Sequence, residues 1–140
     1  MTSNELLIES FERAAAEQGR LTGRFYELLF TRYPAARALF GRHSLARQEQ
    51  MLQETLVAVL DHVEDAEWLE ETLGNLGAQH LDYGVEDAMY GWVGECLIAA
   101  LAETNGEHWT PAHAEAWAAV YGLLTELALK GAAARRATVA

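Results

Sequence analysis

His80 is the residue whose type and placement could do chemistry. It falls on the helical stripe Leu69, Leu73, Leu76, His80, so its imidazole points the same way as three leucines, into the apolar interior. The stretch ends at once, at Asp82, Tyr83 and Gly84. A titratable nitrogen aimed into an apolar cleft has two ordinary explanations. One is a core histidine bonded to a backbone carbonyl, the commoner case. The other is a ligand to a metal held in that cleft. His80 alone does not choose between them.

Three residues upstream bear on the choice. Gln48 is the one polar break in the inner stripe Leu45, Gln48, Leu52, Leu56, Val59, Val63. It either reaches water at the stripe's end or needs a buried partner. Tyr26 lies on an apolar helix with Thr22, Leu29, Phe30 and Tyr33. A buried tyrosine usually packs its ring and bonds its hydroxyl to the backbone. Phe40 ends a short turn that begins at Pro34 and by default is a core aromatic. Each is ordinary alone. A Tyr, a Phe and a Gln on three segments ahead of one inward-facing His is a more specific pattern.

The elements that must position them are helical. The chain has 140 residues, the length of one domain, and should bury roughly 68–70% of its unfolded surface. It holds 25 alanines and 20 leucines against 9 valines plus isoleucines, and only 2 prolines, which suits helices and not sheets. Ser3 is a candidate N-cap for a first helix bearing Leu6, Leu7, Phe11, Ala14 and Ala15, closed by Gly19. A second helix spans about Leu21 to Tyr33. Pro34 stops it and opens the turn to Phe40, with Gly41, Arg42 and His43 as a loop. Ser44 caps the next helix, to about Val63, and Glu64–Ala66 make a turn before the His80 helix. After a loop at Asp82–Glu86, one long helix runs from about Asp87 to Glu103. The last opens with Thr110 as cap and Pro111 in its first turn, and ends at Gly131 as a C′ residue. Residues 132–140 show no amphipathic pattern and read as a disordered tail. The expectation is an all-α domain of about seven helical segments with short loops.

Charge and cysteine content narrow the function. The net charge is -11, and Arg135–Arg136 is the one basic cluster, so no nucleic-acid footprint is present and anionic membranes are disfavoured. Cys96 is the single cysteine, so no internal disulfide forms. No signal-peptide pattern or apolar run near ~20 residues appears, and a soluble, cytoplasmic chain is expected, as a monomer or homodimer. His62, His108 and His113 read as solvated, and His43 as a loop residue. The four tryptophans read as packing residues, Trp117 foremost.

The order and spacing of several blocks resemble the globin family over about residues 3–130. The blocks are Phe25-Tyr26-Glu27-Leu28-Leu29-Phe30, Tyr33-Pro34, Leu39-Phe40, Val63-Glu64-Asp65, Leu76-Gly77-Ala78-Gln79-His80, Tyr83-Gly84-Val85, Tyr90, Val93-Gly94, Ala116-Trp117 and Val120-Tyr121-Gly122. The chain is most similar to single-domain bacterial globins of the flavohaemoglobin type and to neuroglobins. The resemblance implies a globin fold over residues 1–131 and a haem b cofactor. His80 then matches the proximal iron ligand, its other N–H bonded to a carbonyl near Leu76. Phe40 matches the aromatic that stacks on haem, Gln48 the distal residue and Leu52 the apolar residue one turn on. Tyr26 matches the distal tyrosine of bacterial members, Val85 and Val93 match pocket-lining residues, and Tyr90 a proximal tyrosine beside the histidine.

The resemblance also implies ligands: O2, CO and NO at a pentacoordinate or water-bound iron. Donors on Tyr26 and Gln48 would hold O2 by about 1–3 kcal/mol, roughly a ten- to hundredfold slower release. Two departures stand out. Ala132 occupies the place of the glutamate that bonds the proximal histidine in flavohaemoglobins, and Gln48 replaces the distal histidine of neuroglobins. Three functions follow as alternatives: a reversible O2 binder, a nitric oxide dioxygenase dependent on an external reductase, and a haem-based sensor or haem-free scaffold.

Overall fold

The computed structural model describes residues 1–41 and 43–139, Val139 by its backbone alone. Arg42, expected in the loop after Phe40, and Ala140, expected in the tail, lie outside the described residues. The elements are α1 (Ser3–Ala15), α2 (Arg20–Arg32), a 3-10 segment (Pro34–Phe40), α3 (Leu45–Asp61), α4 (Ala66–Asp82), α5 (Met89–Asn105), a short 3-10 turn (Gly106–His108) and α6 (Pro111–Val139). There is no strand among the described residues. Among the described residues no helix is long and apolar enough to cross a membrane.

Local chemistry sets most of these ends. Thr2, one residue ahead of the expected cap, accepts from the Glu5 N–H at 3.1 Å while its own N–H reaches the Glu5 carboxylate, a full capping box. Gly19 does not close α1, which ends at Ala15; it supplies a left-handed φ of 79° at the start of α2. Ser44 caps α3 by accepting from the Arg47 N–H, and Asp65 caps α4 by accepting from the Trp68 N–H. Thr110 and His113 make a reciprocal cap at α6, in which the imidazole Nδ1 accepts from the Thr110 N–H at 3.1 Å. His113 is therefore buried, against the solvated reading, because its ring does the work of a capping carboxylate. His62 is also packed: its Nδ1 bonds the Ala58 carbonyl and its ring stacks on Trp68 at 4.0 Å.

The main core joins α1, α2, α5 and α6 around Phe25, Leu29, Leu97, Leu101 and Trp117. Buried polar groups lock it together. The Trp117 indole donates to Ser10 Oγ at 2.8 Å, and the Asn105 amide donates to the Ser10 and Leu101 carbonyls. A second, smaller cluster of Val59, Leu69 and Leu73 lies where α3 and α4 meet at their corner, with Leu124 and Leu127 of α6 against it. Leu45, placed by periodicity on the inner stripe of α3, is 52% exposed.

The C-terminal segment departs most from expectation. α6 does not stop at Gly131 but continues as helix to Val139, so no disordered tail begins at residue 132. The reason is packing. α4 lies along α6 more extensively than any other two helices pack, and the two backbones nearly touch. A Cβ on Gly77 would overlap the Ala128 backbone, and one on Gly131 would overlap the Gly74 backbone. Gly131 is thus a point of close helix approach and not a helix stop. Beyond it, Arg135 and Arg136 pair with Asp82 and Asp87 at 3.2 and 3.5 Å, either side of the loop after His80.

Gly77→Ala should destabilise the chain by about 1–3 kcal/mol, since the added methyl has nowhere to go. Gly122→Ala, where a Cβ meets open space, should stabilise it by about 0.5–1 kcal/mol through helix propensity. Urea unfolding of the two variants checks the pair; equal effects would refute the close approach.

Candidate functional site

α4 brings His80 to its C-terminal end, on the same face as Leu69, Leu73 and Leu76. The imidazole is half-buried, and its Nδ1 sits 2.8 Å from the Leu76 carbonyl one turn back. A carbonyl only accepts, so Nδ1 carries the proton and Nε2 presents its lone pair. Burial lowers the pKa of His80 from its ordinary value, opposed by the Leu76 bond, and this keeps the ring neutral. The chain after α4 folds back on the same turn: the Val85 N–H bonds the His80 carbonyl at 2.9 Å, with Gly84 at φ 93°. Tyr90, at the start of α5, lies nearly parallel to the imidazole, ring centroids 6.4 Å apart. Its hydroxyl is buried and no described residue bonds it. Ala132 is buried on α6 and offers no side-chain polar atom.

A second group gathers on α2, the first 3-10 segment and α3. Tyr26 is 4% exposed and packs edge-on to Phe40, centroids 5.5 Å apart, with Phe30 completing the cluster. The Tyr26 hydroxyl donates to the Gln48 main-chain carbonyl at 3.3 Å, a long bond that leaves it only loosely tethered. Burial first, then the Glu49 carboxylate, pushes the Tyr26 phenol well above the usual tyrosine range, so it remains a neutral donor. Glu49 is held in place by the Thr22 hydroxyl at 2.9 Å. Gln48 is half-buried, and no described residue bonds its side-chain amide. Leu52 and Val93 are half-buried against the main core.

α4 is carried by α6 and is not packed along α3 or α5. A cavity of about 530 Å³ lies between the later part of α3 and α4, lined by Thr55, Ala58, Leu73 and Leu76 with Glu54 and Glu71; of the site residues above, Leu76 alone borders it. The volume is in the range of small-molecule and cofactor sites. No group of three or more His, Cys, Asp or Glu among the described residues could hold a bare metal ion. One imidazole with its Nε2 left free instead suits a metal that brings most of its own ligands.

The matching family model is Globin, over residues 23–126. The chain belongs to the globin family. The six α-helices and the first 3-10 segment are thus a globin fold. Among relatives, the flavohemoprotein of Bordetella pertussis is 32% identical over 139 residues, covering 93% of this chain and 35% of that protein. The flavohemoprotein of Pseudomonas putida is 31% identical over 110 residues, covering 76% of this chain and 28% of that protein. This globin therefore spans about a third of the length of those relatives. Among solved structures, an engineered carbene transferase from a candidate nitric oxide dioxygenase of Rhodothermus marinus superposes with a TM-score of 0.84 at 26% identity. It covers 98% of this chain and 95% of that one. A bacterial globin from Campylobacter jejuni shares the fold at a TM-score of 0.78 and 20% identity, covering 93% of this chain and 94% of that one.

The structure thus brings Leu76, His80, Val85 and Tyr90 together on one side and Tyr26, Phe40 and Gln48 on the other. His43 is exposed in its loop. Three contributors carried no sequence role. Tyr121 donates to the Tyr90 carbonyl at 2.6 Å, Gly94 makes room for the Tyr121 ring, and Glu49 lies beside Tyr26. Tyr121 and Gly94 fall in the resemblance blocks, but only the fold shows that they meet.

Burial likewise pushes the Tyr121 phenol up. A folded-state phenol that ionises late costs stability only above the ordinary tyrosine value of about 10. Absorbance titration of Tyr26→Phe and Tyr121→Phe should therefore match the parent up to about pH 10 and differ from it in denaturant. A missing step near pH 10 in either folded variant would contradict the burial argument.

Proposed function

We propose that this chain is a haem b globin that binds O2, and also CO and NO, reversibly. The observation that carries the reading is the His80 tether: Nδ1 on the Leu76 carbonyl leaves a neutral Nε2 without a partner among the described residues and able to bind a metal. Haem b would supply an iron able to bind a diatomic ligand. The chain's own residues do the rest. His80 would hold the iron through Nε2, with its ring orientation fixed by Leu76. Phe40, Leu52, Leu76, Val85 and Val93 would give the haem apolar contacts and exclude water. Tyr26, kept as a neutral phenol, and the Gln48 amide donate to the ligand from the opposite side. The protonated state of Tyr26 favours the donor role over ligation as a phenolate.

The second reading is nitric oxide dioxygenation, in which NO and O2 take up one electron and form nitrate. It is favoured by the flavohemoprotein relatives and by the Rhodothermus marinus neighbour. The electron would come from a reductase outside these residues.

Spectra of the purified protein with haem should show a Soret band that shifts on CO addition and is lost in His80→Ala. Tyr26→Phe with Gln48→Leu should speed O2 release roughly ten- to hundredfold in stopped-flow. No Soret band after haem addition would end the reading. Nitrate production over many turnovers with a reductase would select the second one.

A further inference from the structure

Tyr33, the residue that closes α2, belongs to a cluster that the candidate site does not use. Its hydroxyl donates to Glu95 Oε1 at 2.5 Å, and the other Glu95 oxygen accepts from Arg32 at 2.7 Å. Its ring lies flat on the Trp92 indole, with centroids 4.8 Å apart and planes 5° from parallel. α2 and α5 pack closely, so the partners are held in register. The bonds from Tyr33 and Arg32 keep the Glu95 carboxyl below its usual range, and it is an anion at neutral pH.

This arrangement has a chemical consequence. A phenol oxidised alone passes through a strongly acidic radical cation. A phenol bonded to a carboxylate can pass its proton to that base as the electron leaves, which lowers the barrier. The base is within transfer distance, and the stacked indole adds a second oxidisable ring.

We propose that Tyr33 is a redox-active tyrosine that yields an electron to an outer-sphere one-electron oxidant such as nitrogen dioxide. Tyr33 gives one electron to the oxidant, and its phenolic proton moves to Glu95 Oε1. Nitrogen dioxide becomes nitrite, Tyr33 a neutral phenoxyl radical, and Glu95 a carboxylic acid still held by Arg32. The negative charge that leaves the carboxylate reappears on nitrite. The assignment runs against simple access. Tyr83 is 47% exposed and would be met first in solution. Tyr26 and Tyr121 end on main-chain carbonyls, which are poor bases.

The test uses the full chain, without haem and again with it, oxidised by tris(bipyridine)ruthenium(III) generated in a laser flash. Phenoxyl absorbance gives the rate, and spin-trap adducts mapped by mass spectrometry give the site. The expected result is a phenoxyl signal that survives Tyr83→Phe and is lost in Tyr33→Phe. Glu95→Gln, which keeps an acceptor but removes the base, should slow it about tenfold and reduce its solvent deuterium isotope effect. Helix content by circular dichroism should match the parent in all three variants. Adducts on Tyr83 with Tyr33→Phe unaffected, or an unchanged rate in Glu95→Gln, would overturn the proposal. Because the haem-free chain is included, this outcome is separate from that of the Soret experiment.

Discussion

The arrangement depends on how α4 is held. A helix carrying the candidate ligand could pack against α3 and fill the cleft between them. Here it is drawn onto α6, where Gly77 faces the Ala128 backbone and Gly131 faces the Gly74 backbone. Without side chains between them, the helices approach closely and gain dispersion contacts along their length. α4 is thereby anchored on one side and free on the other, where the cavity lies. The same contact accounts for the helical C-terminal segment, since α6 has a partner to pack on past residue 131.

The Tyr26–Phe40 group is positioned by a different kind of interaction. α1, α5 and α6 are joined by buried hydrogen bonds from Trp117 and Asn105 to Ser10, and α2 packs on this frame through Phe25 and Leu29. Buried donors left unpaired are costly, so such bonds select one packing over its near alternatives. Tyr26 and Phe40 inherit their places from that frame. The His80 group and the Tyr26–Phe40 group thus rest on separate anchors, α6 for the first and the α1–α5–α6 frame for the second.

The proximal side carries a neutral tether. His80 bonds a main-chain carbonyl, and the nearby Tyr90 hydroxyl has no partner among the described residues. Ala132 supplies none of the charge that a carboxylate would bring. A carbonyl fixes the tautomer and ring orientation without drawing the imidazole towards its anion. Where the flavohaemoglobin resemblance expects a glutamate, Ala132 stands buried and without a polar side-chain atom.

Much of this was legible in the sequence. The stripe ending at His80, the helix-ending Gly84, the Ser44 cap and the Pro34 break are local signals, and helices obey local rules. The block spacing carried the family and with it the fold. Tertiary structure decided what local rules cannot encode. Gly131 looked like a helix stop because glycine is usually found at such ends, whereas here its missing side chain admits another helix. His113 looked solvated because an imidazole gives no hint that it will cap its own helix. The Tyr33–Glu95–Trp92 cluster joins residues about sixty apart, and only the packing of α2 on α5 brings a phenol, a carboxylate and an indole to one point.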